Sequence, residues 1–356
     1  MADQDQKDIK QLEREIRVLN KKLQRSEHNR VLYEEAQERS QAVQKSLYND
    51  LEIKTAALEE SEQKIKMRVA ELNDVQKAML NIMEDLNVEK KKAEESNKKI
   101  SESIDYASLI QGALIPDNRA FKNYFQDYFS IWHPKDKVGG DIYLFEELRD
   151  EDECLLMVID CTGHGVPGAF VTMLVKAIER QIVAKINNDH SIDVSPAWIL
   201  AYFNRKMKAL LNQHSKDSLS NAGFDGVIIY YNKKEKVLKF AGAETPLFYI
   251  EDEELKMIKG NRHSIGYKTS DSEYEFKDHI IETKEGMSFY LTTDGYLDQN
   301  GGEKSFPFGK KRFKALIEEN YKETMADQQE FFLNELEAYQ DEEERNDDVT
   351  LVGFKI

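Results

Sequence analysis

The first hundred residues carry a seven-residue apolar repeat. Ile9, Ile16, Leu23, Leu51, Leu58, Ile65, Leu72, Met79 and Leu86 fall on the a positions of one heptad register. Leu12, Leu19, Tyr33, Leu47, Val75 and Ile82 fall on d. The residues between them are mostly Glu, Lys, Gln and Ala, good helix formers, and the register holds without an insertion. That pattern predicts a left-handed coiled coil over residues 1–104. A parallel homodimer is its expected form, because a long helix with an apolar stripe needs a partner. Polar a positions (Arg30, Gln37, Gln44) and polar d positions (Lys54, Ser61, Arg68) weaken the seam but can fix register and partner number. A solvated single helix or a disordered charged tail is the alternative reading. If continuous, about 100 helical residues span roughly 150 Å. The register runs on through Ile100, Ala107, Ile110 and Leu114, so residues 105–116 read as a linker or switch helix that Gly112 and Pro116 close.

Beyond Pro116 the period changes. Short β-branched and aromatic runs predict strands at Tyr128–His133, Ile142–Glu146, Cys154–Asp160, Phe224–Tyr231, Val237–Ala241, Leu247–Glu251, Met287–Thr292 and Thr350–Lys355. Helical spacing marks Ala169–Asn187, Ser195–Gln213, Lys310–Asn320 and Ala326–Gln340. Strands in hairpin pairs with helices grouped between them predict an α+β sandwich, not a doubly wound sheet.

Composition narrows the function classes. The chain has 356 residues and a formal net charge of −17. An acidic chain without a basic stripe is a poor match to nucleic acid. No apolar run approaches the roughly 18 residues of a membrane span, and the N-terminus lacks the apolar core of a signal peptide. Two cysteines, Cys154 and Cys161, argue against a disulfide framework or a structural zinc site. The expectation is a soluble, cytoplasmic protein.

The chemistry concentrates in acidic motifs. Asp160 closes an apolar strand and opens the glycine loop of VIDCTGHGVPGAF (Val158–Phe170). Asp141 follows Gly139-Gly140, Asp294 ends FYLTTDGYLD, and Asp347-Asp348 precede the terminal strand. Each motif alone reads more readily as a turn. Together, four segments each place a carboxylate at a strand edge. Magnesium and manganese sites use a few carboxylates plus waters, and two such ions about 3.5–4 Å apart can drive in-line attack on phosphorus.

VGGDIY, DCTGHGVPGAF, TTDGYLDQNGG and NDDVT resemble, in order and spacing, the motif set of the SpoIIE/RsbU branch of the PPM metal-dependent serine/threonine phosphatases. The resemblance covers about Asp105–Ile356. It implies an αββα sandwich around a binuclear Mn²⁺ or Mg²⁺ centre, and hydrolysis of phosphoserine or phosphothreonine by a metal-bound water without a covalent enzyme intermediate. By position it implies Asp160 as bridging ligand, with Asp141, Asp294 and Asp347 completing the metal sites. It also implies a backbone carbonyl ligand from Cys161, where the family commonly has Gly or a small residue, and an outer role for Asp348. DCTGHGVPGAF and FGKKRF (Phe308–Phe313) are similar to phosphatases of the SiaA type, which implies a small STAS-domain phosphoprotein as substrate.

His164 is either an acid to the leaving group or a loop-ordering residue. Lys135, Lys137, His164 and Arg262 are open candidates for a phosphate-binding cation. The loop Asp298–Phe308 is either a flap near the substrate or a surface connection. The main rival reading is a catalytically silent scaffold that gathers partners through its coiled coil. The presence of all four metal carboxylates counts against it. A receiver domain would need alternating βα units, which the hairpins oppose.

Overall fold

The computed structural model describes residues 2–149, 151–215 and 217–356, without the side chains of residues 2–5 and 118. The chain divides into two compact units, Met1–Glu95 and Ser96–Ile356. Helix α1 is Ala2–Gly112. It ends at Gly112, as the glycine leads one to expect. In the first unit the a and d side chains are exposed on the single chain: Ile9, Leu23, Leu58 and Leu72 among them.

In the second unit a 3₁₀ turn, Asn118–Asn123, is followed by β1 (Asp127–His133), β2 (Asp141–Glu147), β3 (Glu153–Cys161), α2 (Gly165–Asn188) and α3 (Pro196–Leu210). Next come β4 (Phe224–Asn232), β5 (Val237–Ala243), β6 (Leu247–Glu251), β7 (Glu254–Ile258), β8 (His279–Glu282) and β9 (Ser288–Thr292). The chain closes with α4 (Asp294–Asp298), β10 (Asn300–Gly301), β11 (Phe306–Pro307), α5 (Gly309–Asn320), α6 (Met325–Gln340) and β12 (Val349–Lys355).

Two antiparallel sheets face each other, one ordered β1-β12-β9-β6-β7 and the other β2-β3-β4-β5-β8. Strand β3 shows why the sequence folds this way. Leu155, Met157 and Ile159 pack outward onto Val175, Ile178 and Phe203 of α2 and α3. Cys154, Leu156 and Val158 point the other way, into a core shared with Leu291 and Val352 of the opposite sheet. Side chains alternate along a strand, so a strand buried on both faces reads as one apolar run. The outer face of the other sheet is covered by α5 and α6 through Phe248, Tyr290, Phe313 and Phe332. The result is the α+β sandwich that the hairpin pattern predicts, in the four-layer αββα arrangement that the motif resemblance implies.

Three differences from the sequence reading have physical causes. Helix α2 begins at Gly165 instead of Ala169, because Pro167 lies in the first turn, where no intrahelical N–H bond is lost. Strands β7 and β8 are short, half-exposed edges whose apolar residues are interrupted or flanked by Glu, Lys and His, so no long apolar run announces them. Helix α3 begins at Pro196, with Ser195 capping Trp198 N–H, and stops at Leu210, short of Gln213.

Candidate metal centre

The acidic motifs meet at one end of the sandwich. In the β2–β3 ladder Asp141 stands directly opposite Asp160. In the β3–β4 ladder Asp160 stands opposite Asp225. Thr293, at the end of β9 in the other sheet, donates its hydroxyl to Asp141 Oδ2 at 2.7 Å. That one bond ties the two sheets together beside Asp294, the next residue. The Trp132 indole N–H donates to the Asp141 carbonyl at 2.9 Å, fixing the backbone from β1.

Asp348 holds the loop before Asp141. Its Oδ1 accepts from Lys135 N–H and its Oδ2 from Gly140 N–H, each at 2.6 Å. A Cβ at Gly139 would stand 2.6 Å from Asp348 Oδ1, so a side chain there would push the Asp348 carboxylate off its two N–H donors. Gly140 packs against the Cys161 carbonyl, 2.6 Å from where its Cβ would be, and its own carbonyl accepts from Cys161 N–H at 3.0 Å. The Cys161 side chain is buried in the core beneath α2.

A cavity of about 190 Å³ opens at this end, with Asp160, Asp225 and Asp294 in its wall and Asp298, Glu244 and Lys310 around it. Asp141 is buried behind it. The electrostatics are strained in one direction. Burial first, then the charges of Asp348 and Asp347, drive the Asp141 carboxyl well above the usual range, against the Thr293 bond that holds it down. Burial raises Asp160 likewise, and Asp141, Asp294, Asp347 and Asp225 add to it. Asp294 is raised by partial burial and by Asp298 and Asp347. Asp225 is pushed up to about 6, again by burial first. Asp225 Oδ1 is buried without a hydrogen-bond partner.

So Asp141, Asp160, Asp294 and Asp347 come from four separate segments, and the charges of Asp141, Asp294 and Asp347 all act on Asp160. Among the described residues no three acidic, His or Cys side chains converge closely enough to enclose an ion by themselves. The donor set nevertheless fits a hard divalent cation that keeps part of its water shell: it is all oxygen, its carboxylates repel one another, and cationic density between them would relieve both desolvation and repulsion.

His164 lies outside the cavity wall. Its Nδ1 is 2.8 Å from Asp136 Oδ2, and both side chains are half exposed. Lys135 Nζ donates to the Asn346 carbonyl at 3.0 Å, and Lys137 Nζ pairs with Asp105 at 2.5 Å. Neither they nor Arg262 are in the cavity wall. The segment after Asp298 is a short hairpin, β10–β11, fixed by Gly302 N–H to Tyr339 O at 3.0 Å and Tyr339 Oη to Phe306 O at 2.9 Å. The sequence reading passed over Asp225, Glu244 and Lys310. Asp225-Gly226 at the start of β4 repeats the Asp-Gly-at-a-strand-edge signal and could have been found that way.

A family profile described as Stage II sporulation protein E (SpoIIE) matches residues 150–356. The SiaA-PP2C domain of Pseudomonas aeruginosa is 34% identical, with a TM-score of 0.64, over 73% of this chain and 98% of that one. The PP2C phosphatase domain of SpoIIE from Bacillus subtilis, with a fragment of its regulatory domain, shares the fold at 16% identity and a TM-score of 0.50, over 65% of this chain and 63% of that one. Among curated protein sequences none matches. No helix among the described residues is long and apolar enough to cross a membrane. With the αββα fold, the carboxylate cluster at its sheet ends and these similarities in agreement, the chain belongs to the SpoIIE family and carries its PP2C-type phosphatase fold.

Proposed function

We propose that this chain is a divalent-metal-dependent protein serine/threonine phosphatase. The observation that carries the reading is the acidic cluster at one end of the sandwich: Asp160 and Asp294 line the cavity, Asp141 stands opposite Asp160 in the sheet, and the Asp347 charge acts on all three. In this reading Asp160, central between Asp141 and Asp225 in the sheet, would be the principal residue holding manganese or magnesium. Asp141, Asp294, Asp347 and the Cys161 carbonyl complete the ligand set. When bound, the ions supply Lewis-acid polarisation of the phosphoryl group and a nucleophile drawn from water.

The chain's own residues do the positioning. Thr293 fixes one oxygen of Asp141, so the carboxylate keeps its orientation when the phosphoryl group enters. Asp348 locks the Gly139–Asp141 backbone. His164 orders the glycine loop through Asp136 instead of reaching the leaving group. The cavity has room for a phosphorylated side chain, and the sheet ends around it meet the protein that bears it. The resemblance of DCTGHGVPGAF and FGKKRF to the motifs of SiaA-type phosphatases supports a small regulatory phosphoprotein, of STAS type, as substrate.

In the same reading the heptad seam forms a parallel homodimeric coiled coil, and the linker at residues 105–116 passes its state to the site. Gln111 supports this, since it is fully buried against the loop that carries Asp141. The test is phosphate release from a phosphoserine or phosphothreonine protein, with manganese and then with chelator. Release that starts with the metal and stops with the chelator is expected. A folded dimer that releases phosphate from no such protein turns the assignment to the scaffold reading.

A further inference from the structure

Five carboxylates line the candidate cavity, Asp160, Asp225, Glu244, Asp294 and Asp298, and one cationic side chain among its described residues, Lys310. Lys310 makes no hydrogen bond or ion pair with any described residue, although the acids stand around it. The other cations near this end are engaged. Lys135 holds the Asn346 carbonyl, and Lys137 holds Ser101 and Asp105. Within Lys310-Lys311-Arg312, the guanidinium of Arg312 donates to Phe308 O at 2.8 Å and lies 4.9 Å from the centre of the Tyr339 ring. Arg312 thus has a local structural task and Lys310 has none.

The position of Lys310 is set by the chain around it. Phe308 is buried against Tyr296, and its N–H donates to Gln299 O at 2.9 Å. That bond brings the end of α4, with Asp298, beside the start of α5, with Lys310. Lys310 lies in the first turn of α5, a turn without an acidic residue or a side-chain cap. A cation there opposes the helix dipole, so the fold gains nothing locally from the charge.

A phosphoryl dianion entering a wall of carboxylates meets repulsion on every side that a metal ion does not cover. An ammonium offers three rotatable donors and a compact positive charge, suited to non-bridging phosphate oxygens. We propose that Lys310 is the phosphate-binding cation of this site, contacting the non-bridging oxygens of the substrate's phosphoryl group from the start of α5. The proposal rests on the phosphatase reading, and it replaces the four candidates left open by the sequence.

The test uses the full chain loaded with manganese and three variants: Lys310→Met, Lys310→Arg and, as control, Lys311→Met. Calorimetry with inorganic phosphate is the first readout. Lys310→Met should weaken phosphate binding about 10–100-fold, the range for losing one charge-assisted contact. Lys310→Arg should restore most of it and Lys311→Met should leave it unchanged. Manganese affinity measured without phosphate should be the same in all four proteins. In turnover of a phosphoprotein, kcat/KM of Lys310→Met should fall by a similar factor. Wild-type phosphate affinity in Lys310→Met, or loss of manganese binding along with phosphate, overturns the proposal. A wild type that binds phosphate through Lys310 yet releases none from any phosphoprotein overturns the phosphatase reading and leaves the assignment of Lys310 standing.

Discussion

The side-chain amide of Gln111 grips the backbone of Gly139 at both polar groups: Nε2 donates to Gly139 O at 2.7 Å and Oε1 accepts from Gly139 N–H at 3.1 Å. Nε2 also donates to Thr172 Oγ1 on α2 at 3.1 Å. The last turn of α1 is thereby bonded to the residue two before Asp141 and to the helix that follows the glycine loop. Replacing Gln111 by Leu leaves buried backbone groups unsatisfied. We expect a loss on the order of 2 kcal/mol in unfolding free energy and a weaker affinity for manganese. Thermal unfolding and manganese calorimetry check this. A variant with the stability and metal affinity of the wild type would separate the linker from the site.

The exposed heptad seam makes the second expectation. Full-length protein should run as a dimer by light scattering, and Leu58→Asp with Leu72→Asp should make it a monomer, because two apolar a positions would then set like charges against their own copies in a stretch whose d positions, Lys54, Ser61 and Arg68, are already polar. Removing residues 1–95, the first compact unit, should change the basal phosphatase rate. Equal rates for the truncated and full chains would remove the coiled coil from the regulation.

A buried charge group far from the cavity sets a pH dependence. Glu179 on α2 is fully buried, with Oε2 3.1 Å from Lys176 Nζ, and Lys176 is also bonded to Glu146 at 2.6 Å. Burial first, then the Glu146 charge, pushes the Glu179 carboxyl up to about 7, against the pull of Lys176. A carboxyl raised in the folded state stabilises the fold below its unfolded value, near 4.5, and that contribution is lost as pH rises through about 7. Glu146, which Lys176 and Arg180 hold low, acts in the opposite sense but below pH 4.5, outside this window. Glu179→Gln should therefore match wild type near pH 5 and exceed it at pH 8, by about 1–3 kcal/mol. Urea midpoints at the two pH values decide it. A constant difference between variant and wild type would contradict it.

The parts of this protein that were legible in its sequence share one property: a local pattern carries the whole signal. β3 reads as a strand because both of its faces feed cores. Asp141, Asp160, Asp294 and Asp347 stand out because each ends or precedes such a run. What was not legible depends on contacts across the fold. Gln111 looks like any polar residue of a charged helix until Gly139 arrives from 28 residues away. Lys310 sits in a basic run that reads as solvated surface, and the Phe308–Gln299 bond, which sequence cannot show, brings it to the cavity. β7 and β8 were missed because edge strands need no apolar face.

The central claim is that Asp160 stands at the heart of a metal-dependent phosphatase site. Phosphate release from a phosphoserine or phosphothreonine protein, measured for wild type and Asp160→Ala with manganese and with chelator, tests it directly. Wild type should release phosphate only with the metal, and the variant, still folded, should be slower by about a thousandfold or more, the scale of several kcal/mol of lost transition-state stabilisation. A variant as fast as wild type, or turnover that survives the chelator, would contradict the account.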